Sequence, residues 1–382
     1  MPGKKFPCSP DCPPDTNYRK DGGEPNMMFK EVTLTGTPYE RGRQYGAACK
    51  KEIALSKHTY ESLFARHRNM TWEQARKLSL LYLPAIREMD EAYVQEMQGI
   101  ADGAGVTFED ILVINSRSEL LYSNLPVDTE APQECTAFSL LPPATQGGAV
   151  IAGQSWDYAP VQRDAVVIVR IPGEGARPTL LFFPEAGMIG GKGCNNAGLS
   201  LTLNALRAKE YAIGVPVHIR MRRILECATL DKAYEAAVKG EIPGPANLIM
   251  THKDGLALDV ELSPVGAEVL MPQQGVLVHS NHFIGPRLST LHRQASGSSY
   301  VRLQRAQQLF CGKTGLTVDD AQAALRDHKG YPTSICDHSS EHMPIEIADC
   351  ATNFGLVMNL ARNEVWLAPG NPCQNPFVKI PL

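Results

Sequence analysis

From Cys135 onward the sequence breaks into short runs that alternate or are β-branched and that stop at Gly, Pro or Asp. They read "CTAFSLL", "GAVIAGQSW", "AVVIVRI", "TLLFFP", "GLSLTLNAL", "ANLIMTH", "LALDVEL", "AEVLM" and "GVLVHSN". Runs of this length and punctuation predict strands, and their closeness predicts hairpins and meanders. The chain ahead of them, from about 38 to 120, has a helical period instead. In "LPAIREMDEAYVQEMQGIADGAG" the residues Ile86, Met89, Tyr93, Met97 and Ile100 recur every three or four positions and share one face. Gly103 and Gly105 are expected to end that helix, and Thr107 to begin another with acidic residues in its first turn.

Helices also interrupt and follow the strands. "VPVHIRMRRILECATLDKAYEAAVKG" predicts two helices broken near Thr229, and "SSYVRLQRAQQLFCGK" and "TVDDAQAALRDH" predict two more. Two last strands, "NFGLVMNLA" and "NEVWLAPG", close the pattern. Helices first, then an antiparallel run with helices inserted, predict an α+β fold with sheets between helical layers. The sharpest change of texture falls in "YSNLPVDTEAPQE", which predicts an exposed connector ending where Cys135 opens its strand.

Composition narrows the function classes. An apolar content of 43% suits a globular chain, and a net charge of -4 without long single-sign runs disfavours nucleic acid or an anionic membrane as partner. Small-molecule chemistry is the default expectation. No stretch of about 18 apolar residues predicts a membrane span. Residues 1–27, rich in Pro, Gly and charge, predict a disordered N-terminal tail with no signal peptide, hence a cytoplasmic protein. Most of the 10 cysteines are then expected to be reduced core residues. Cys8 and Cys12 lack the two further ligands that a metal site would need.

Cys135 invites two readings. Cysteine is among the most buried residue types, so a thiol at a strand start is ordinarily core. As a nucleophile it would need a base, because a thiol is inert until its proton is accepted. One of the histidines could serve. The other candidate is the residue's own α-amine, freed by a cut just before it, with a reference pKa of about 7.7 to 8.0. A nucleophile that must become an N-terminus should follow an exposed connector, as Cys135 does.

Several blocks carry a resemblance: "GTPYERGRQYG", "INSRSELLYS", "ECTAF", "GQSWDY", "EAGMIGGKGCNNAGLSLTLNAL", "VHSNH" and "YPTSIC". In order and spacing the chain resembles the acyl-CoA:isopenicillin N acyltransferase family over nearly its whole length after the tail. The resemblance implies a four-layer αββα N-terminal nucleophile hydrolase fold, two antiparallel sheets between helical layers. It implies autoproteolysis between Glu134 and Cys135 into two chains that stay together, a helical α chain over 28–134 behind the tail and a β chain over 135–382. Cys135 would be the nucleophile, Asp157 would orient its amine, and Asn281 would supply an oxyanion donor. Thr136, Trp156, Asn195, Asn204 and His282 become pocket candidates. Each has a plainer alternative: a turn aspartate, a strand-end asparagine, a β-branched strand residue, and a hairpin turn at Asn195–Asn196. His279 and His282, flanking Asn281, are expected to pack rather than act as base.

Two departures stand out. Glu134 replaces the glycine that precedes the nucleophile in the fungal enzyme, and Asp337 and Asp349 stand where that enzyme has arginines, which disfavours penicillin precursors as substrates and leaves room for a cationic or neutral group. The segment "DHSSEHMPIEIADC" offers Asp337, His338 and His342 at metal-ligand spacing, but Pro344 and the serines predict a loop, and no metal is expected. The leading functional expectation is a self-processed cysteine amidohydrolase acting on a linear amide. The alternatives are an acyltransferase with acyl-CoA as co-substrate and no bound cofactor, and a non-catalytic binding protein on the same scaffold.

Overall fold

A computed structural model describes residues 29–122, 133–208, 210–291, 296–341, 343–344 and 350–382. The expected tail, Cys8 and Cys12, the connector over 123–132, His342 and Asp349 lie outside these residues.

A short strand, β1 (Lys30–Thr33), precedes seven helices: α1 (Pro38–Ala48), α2 (Lys50–Arg68), α3 (Trp72–Ser79), α4 (Leu83–Met89), α5 (Glu91–Ala104), α6 (Phe108–Asn115) and α7 (Arg117–Tyr122). Capping boxes start three of them, at Thr37 with Glu40, Thr71 with Gln74 and Thr107 with Asp110. The single helix expected around Tyr93 is two. Asp90 leaves the helical region at φ -168 and ψ 118, and its side chain caps α5 at Ala92 N. Gly103 also does something other than expected, since it lies inside α5, where α1 crosses against it. A Cβ on Gly103 would sit 2.4 Å from the Arg43 carbonyl oxygen, and one on Gly42 2.0 Å from that of Glu96. The paired spacings Gly42–Gly46 and Gly99–Gly103 thus let two helix backbones touch. Gly105, left-handed at φ 77, ends α5 as expected.

The strands and later helices follow in the order β2 (Gln133–Leu140), β3 (Ile151–Tyr158), β4 (Val167–Ile171), β5 (Leu180–Phe183), β6 (Lys192–Asn195), β7 (Leu199–Ala205), α8 (Val217–Leu225), α9 (Leu230–Val238), β8 (Ala246–His252), β9 (Leu256–Ser263), β10 (Gly266–Leu270) and β11 (Val276–His279). Then come α10 (Leu288–Leu291), α11 (Gly297–Phe310), α12 (Val318–Ala324), β12 (Ala351–Asn359), β13 (Glu364–Pro369) and β14 (Val378–Ile380). Strands β1, β6 and β14 are too short to show a period, and the sequence did not single them out.

Two sheets form. One runs β1-β4-β5-β6-β7-β8-β9-β10, antiparallel except for the parallel β1–β4 edge, and is largely a meander with α8 and α9 looped out. The other runs β11-β2-β3-β12-β13-β14 and is antiparallel throughout. They meet through β2 against β7 and β8, while α8 and α9 cover one outer face and α11 and α12 the other. The four-layer αββα order is therefore present. The main apolar core joins both sides of residue 135, with Ile53, Ile100 and Leu112 packed in the same cluster as Leu203 and Leu356. No helix among the described residues is long and apolar enough to cross a membrane.

Candidate active site

Strand β2 begins two residues earlier than expected. Gln133 and Glu134 already pair with Tyr158 and Asp157 of β3, so the Glu134–Cys135 bond lies inside a paired strand. Alternation along β2 sends Cys135 and Ala137 into the inter-sheet core and Phe138 and Leu140 into the cluster beneath α11 and α12. Cys135 is fully buried, opposite Trp156.

On its other side β2 pairs with β11, which stops at His279 opposite Ala137. Cys135 therefore lies beyond the partner strand, and side chains satisfy its backbone instead. Its N–H donates to Asn281 Oδ1 at 2.8 Å. Its carbonyl oxygen accepts from Arg302 Nη1 at 2.6 Å and Asn204 Nδ2 at 3.1 Å. Arg302, from α11, also donates to Thr136 Oγ1 at 2.9 Å and Asn281 Oδ1 at 2.9 Å, and pairs with the Glu134 carboxylate. Ser296 at 2.6 Å and Ser298 complete the clamp on Glu134. Burial pushes that carboxyl up, but the Arg302 charge and the two serines outweigh it and hold it below its ordinary value.

Asp157 is fully buried, accepting from Thr352 Oγ1 at 2.6 Å and Ser155 Oγ at 3.2 Å. Ser155 Oγ in turn accepts from Thr136 N at 3.2 Å, so the carboxyl reaches the nucleophile strand through a serine. Burial and neighbouring Asp337 drive Asp157 well above the carboxylate range. The backbone N–H of Asp157 is directed at the Cys135 thiol. Burial pushes that thiol up to about 12, opposed by the charge of Lys192. Lys192, from β6, is itself buried and stands 4.3 Å from the centroid of the Trp156 ring. Burial draws its pKa down to about 8, with the thiol and Glu185 pulling the other way.

The remaining candidates divide. Asn204 touches the nucleophile's backbone, as above. Asn281 presents its acceptor oxygen to Cys135, while its amide donates to Ala205 O at 3.0 Å. Trp156 is core, stacked on Tyr158 with ring centroids 5.6 Å apart, rather than pocket lining. Asn195 points away, its amide donating to Leu225 O and Cys227 O at 2.8 Å and tying the β6–β7 hairpin to the end of α8. His282 bonds Ser299 Oγ at 2.7 Å, and burial lowers its pKa to about 4. His279 bonds Glu261 at 3.0 Å. Asp337 is buried and accepts from Ser339 N and Oγ at 2.9 and 2.6 Å. Arg302, Lys192, Ser155 and Thr352 were not anticipated. Arg302 in "YVRLQRAQQ" carries only an amphipathic helical signal, and nothing local marks it as buried.

A small cleft, with about 20 Å³ of free volume, opens beside Glu134 and Asn281, lined also by Tyr122, Leu206, Arg207 and Ser296. A neighbouring cleft of similar size shares Tyr122, Ala205 and Leu206 with it and is lined by Glu119. Glu119 Oε1 accepts from Val217 N at 2.8 Å, and Oε2 has no hydrogen-bond partner among the described residues. Burial raises this carboxyl to about 7.

Two face-to-face, largely antiparallel sheets between helical layers, with a thiol and its captured backbone on the inner surface, define a four-layer αββα fold. The sequence profile of the acyl-coenzyme A:6-aminopenicillanic acid acyl-transferase family matches residues 144–347. The acyl-coenzyme A:6-aminopenicillanic-acid-acyltransferase 40 kDa form of Emericella nidulans is 30% identical over 311 residues, 80% of this chain and 84% of that one. Among solved structures, a variant of the conjugated bile acid hydrolase of Clostridium perfringens shares 13% identity, with a TM-score of 0.44 over 65% of this chain and 97% of that one. Penicillin V acylase of Agrobacterium tumefaciens shares 13% identity, with a TM-score of 0.43 over 62% of this chain and 83% of that one. The chain belongs to the acyl-coenzyme A:6-aminopenicillanic acid acyl-transferase family and is an enzyme.

Proposed function

We propose that the chain cuts itself between Glu134 and Cys135 and that the new N-terminal cysteine hydrolyses a linear amide through an acyl-enzyme. The observation that supports this is the capture of the Cys135 backbone itself: its N–H by Asn281 and its carbonyl by Asn204 and Arg302. Beyond the end of β11 the buried backbone of Cys135 must be satisfied by side chains, and the same contacts hold in place the nitrogen that would work as the base.

In the first step the thiol attacks the Glu134 carbonyl carbon. The acyl group passes from nitrogen to sulfur, and water hydrolyses the thioester to leave the Glu134 carboxylate and a free α-amine on Cys135. The clamp on Glu134 orients that carbonyl where a glycine would supply only freedom. In the second step the amine takes the thiol proton as sulfur attacks the substrate carbonyl, then gives it to the departing amine. Water releases the acid. Asn281 Oδ1 keeps the amine in place, Asn204 supplies an amide donor, and Asp157 acts through Ser155. The products of the first step, residues 1–134 and 135–382, stay together through the shared core.

A second reading follows from the Emericella relative, whose name states acyl transfer from coenzyme A: an amine or acyl-CoA would then replace water as acceptor or donor. Glu119, with its unpartnered oxygen in the adjoining cleft, favours a substrate carrying a cationic or hydrogen-bond-donating group. The test offers N-acyl amino acids, β-lactam precursors and aminoacyl amines with and without acyl-CoA, with an acyl adduct on Cys135 read by mass spectrometry. Acid released without CoA supports hydrolysis. Product formed solely with CoA and an amine supports transfer, and no adduct in either arm rejects both.

A further inference from the structure

We propose a structural zinc site, independent of the reaction above, formed by His328, Cys336, His338 and Cys373. One ligand atom from each lies within 4.8 Å of all the others. The Sγ atoms of the two cysteines are 3.6 Å apart, His338 Nε2 lies 3.5 and 3.4 Å from the two sulfurs, and the two histidine Nε2 atoms are 3.2 Å apart. A tetrahedral zinc with ordinary Zn–S and Zn–N bonds requires edges of about 3.8, 3.6 and 3.3 Å for S–S, S–N and N–N pairs. Four of the six edges thus match a tetrahedron of that size, and the two from His328 to the sulfurs lie within 4.8 Å. The two sulfurs are much farther apart than the roughly 2.0 Å of a disulfide.

The donor set is that of zinc, two thiolates and two imidazoles, with all four positions supplied by protein. His338 carries the outer support such a ligand needs: its Nδ1 faces Glu341 Oε2 at 3.4 Å, which leaves Nε2 for the metal. Asn371 Nδ2 sits 3.6 Å from Cys336 Sγ, 3.3 Å from His338 Nε2 and 2.8 Å from Asp337 O, and so braces the cluster. Binding Zn²⁺ releases one proton from each thiol, and the resulting site is electrically neutral.

The site joins the segment after α12 to the turn after β13. Between two of its ligands, Asp337 donates its N–H to Thr352 Oγ1 at 2.8 Å, and that hydroxyl donates to Asp157. The metal therefore fixes the segment that stands behind Asp157.

The test is metal content of the full chain purified without an affinity tag, by elemental mass spectrometry, together with the optical spectrum after cobalt exchange. The expected result is about one zinc per chain and, with Co²⁺, a tetrahedral spectrum with thiolate charge-transfer bands. C336S and C373S should lose the metal, and C311S should keep it. Wild-type protein free of zinc that takes up no cobalt overturns the proposal, whether or not the variants fold. So does a mass showing Cys336 and Cys373 joined as a disulfide, or zinc retained in both cysteine variants.

Discussion

Arg302 Nη1 lies 2.6 Å from the carbonyl oxygen of Cys135, and the other end of the same guanidinium pairs with Glu134, so one side chain grips both residues of the proposed scissile bond. Both partners are buried or nearly so, and removing one leaves a charge without compensation. Arg302→Ala should lower stability by about 3 to 5 kcal/mol in denaturant titration and abolish processing. Arg302→Lys should rescue folding in part and processing poorly, because an ammonium cannot bridge as a planar fork does. Processing at the parental rate in Arg302→Lys would show that the bridge is not required.

Lys192 sets a pH dependence on the thiol. Its ammonium, present below about 8, opposes the burial that drives Cys135 to about 12. Lys192→Met should slow alkylation of Cys135 by roughly tenfold at neutral pH. Well above pH 8, where the parent's lysine is already neutral, the two rates should converge. Mass-resolved iodoacetamide labelling across that range is the measurement.

Glu119 sets a pH dependence on stability. Burial raises its folded carboxyl from the ordinary 4.5 to about 7. The folded state then holds a proton that the unfolded chain releases first, so this contribution is complete below about 4.5 and is lost as pH rises through 7. Glu119→Gln removes the loss. The variant should be more stable than the parent at about pH 8.5, by up to about 3 kcal/mol, and similar to it at about pH 5. Urea titrations at the two pH values check the sign.

The α1–α5 crossing gives a prediction about packing alone. Gly42→Ala places a methyl group 2.0 Å from the Glu96 carbonyl oxygen and must push the helices apart. A loss of about 1 to 3 kcal/mol is expected. At Gly297, where an added Cβ meets nothing within 4 Å, alanine should be neutral or slightly stabilising. Thermal denaturation of the two variants side by side separates crossing from composition.

What the sequence made legible was whatever has a period or a punctuation mark. The helical first part, the strand succession from Cys135 and the Thr229 break all have one, and the layer order follows from them. Asp90 was hidden because the apolar face of α4 continues in α5 across the break. Gly103 looked like a terminator because closeness to another helix leaves no local trace. At the site, Cys135, Asn204 and Asn281 stood in recognisable blocks, but Arg302 arrives from a helix far along the chain, and Cys373 meets His328, Cys336 and His338 only in three dimensions. Asn195 and Trp156 misled because a polar or aromatic residue near a motif can equally brace a hairpin or fill a core.

The central claim is that Cys135 becomes an N-terminus by its own chemistry. The direct measurement is the intact mass of the freshly purified full chain beside that of Cys135→Ala. Two fragments are expected from the parent, one beginning at Cys135, and a single uncut chain from the variant. A parent that stays whole, or a variant cut at the same bond, contradicts the account.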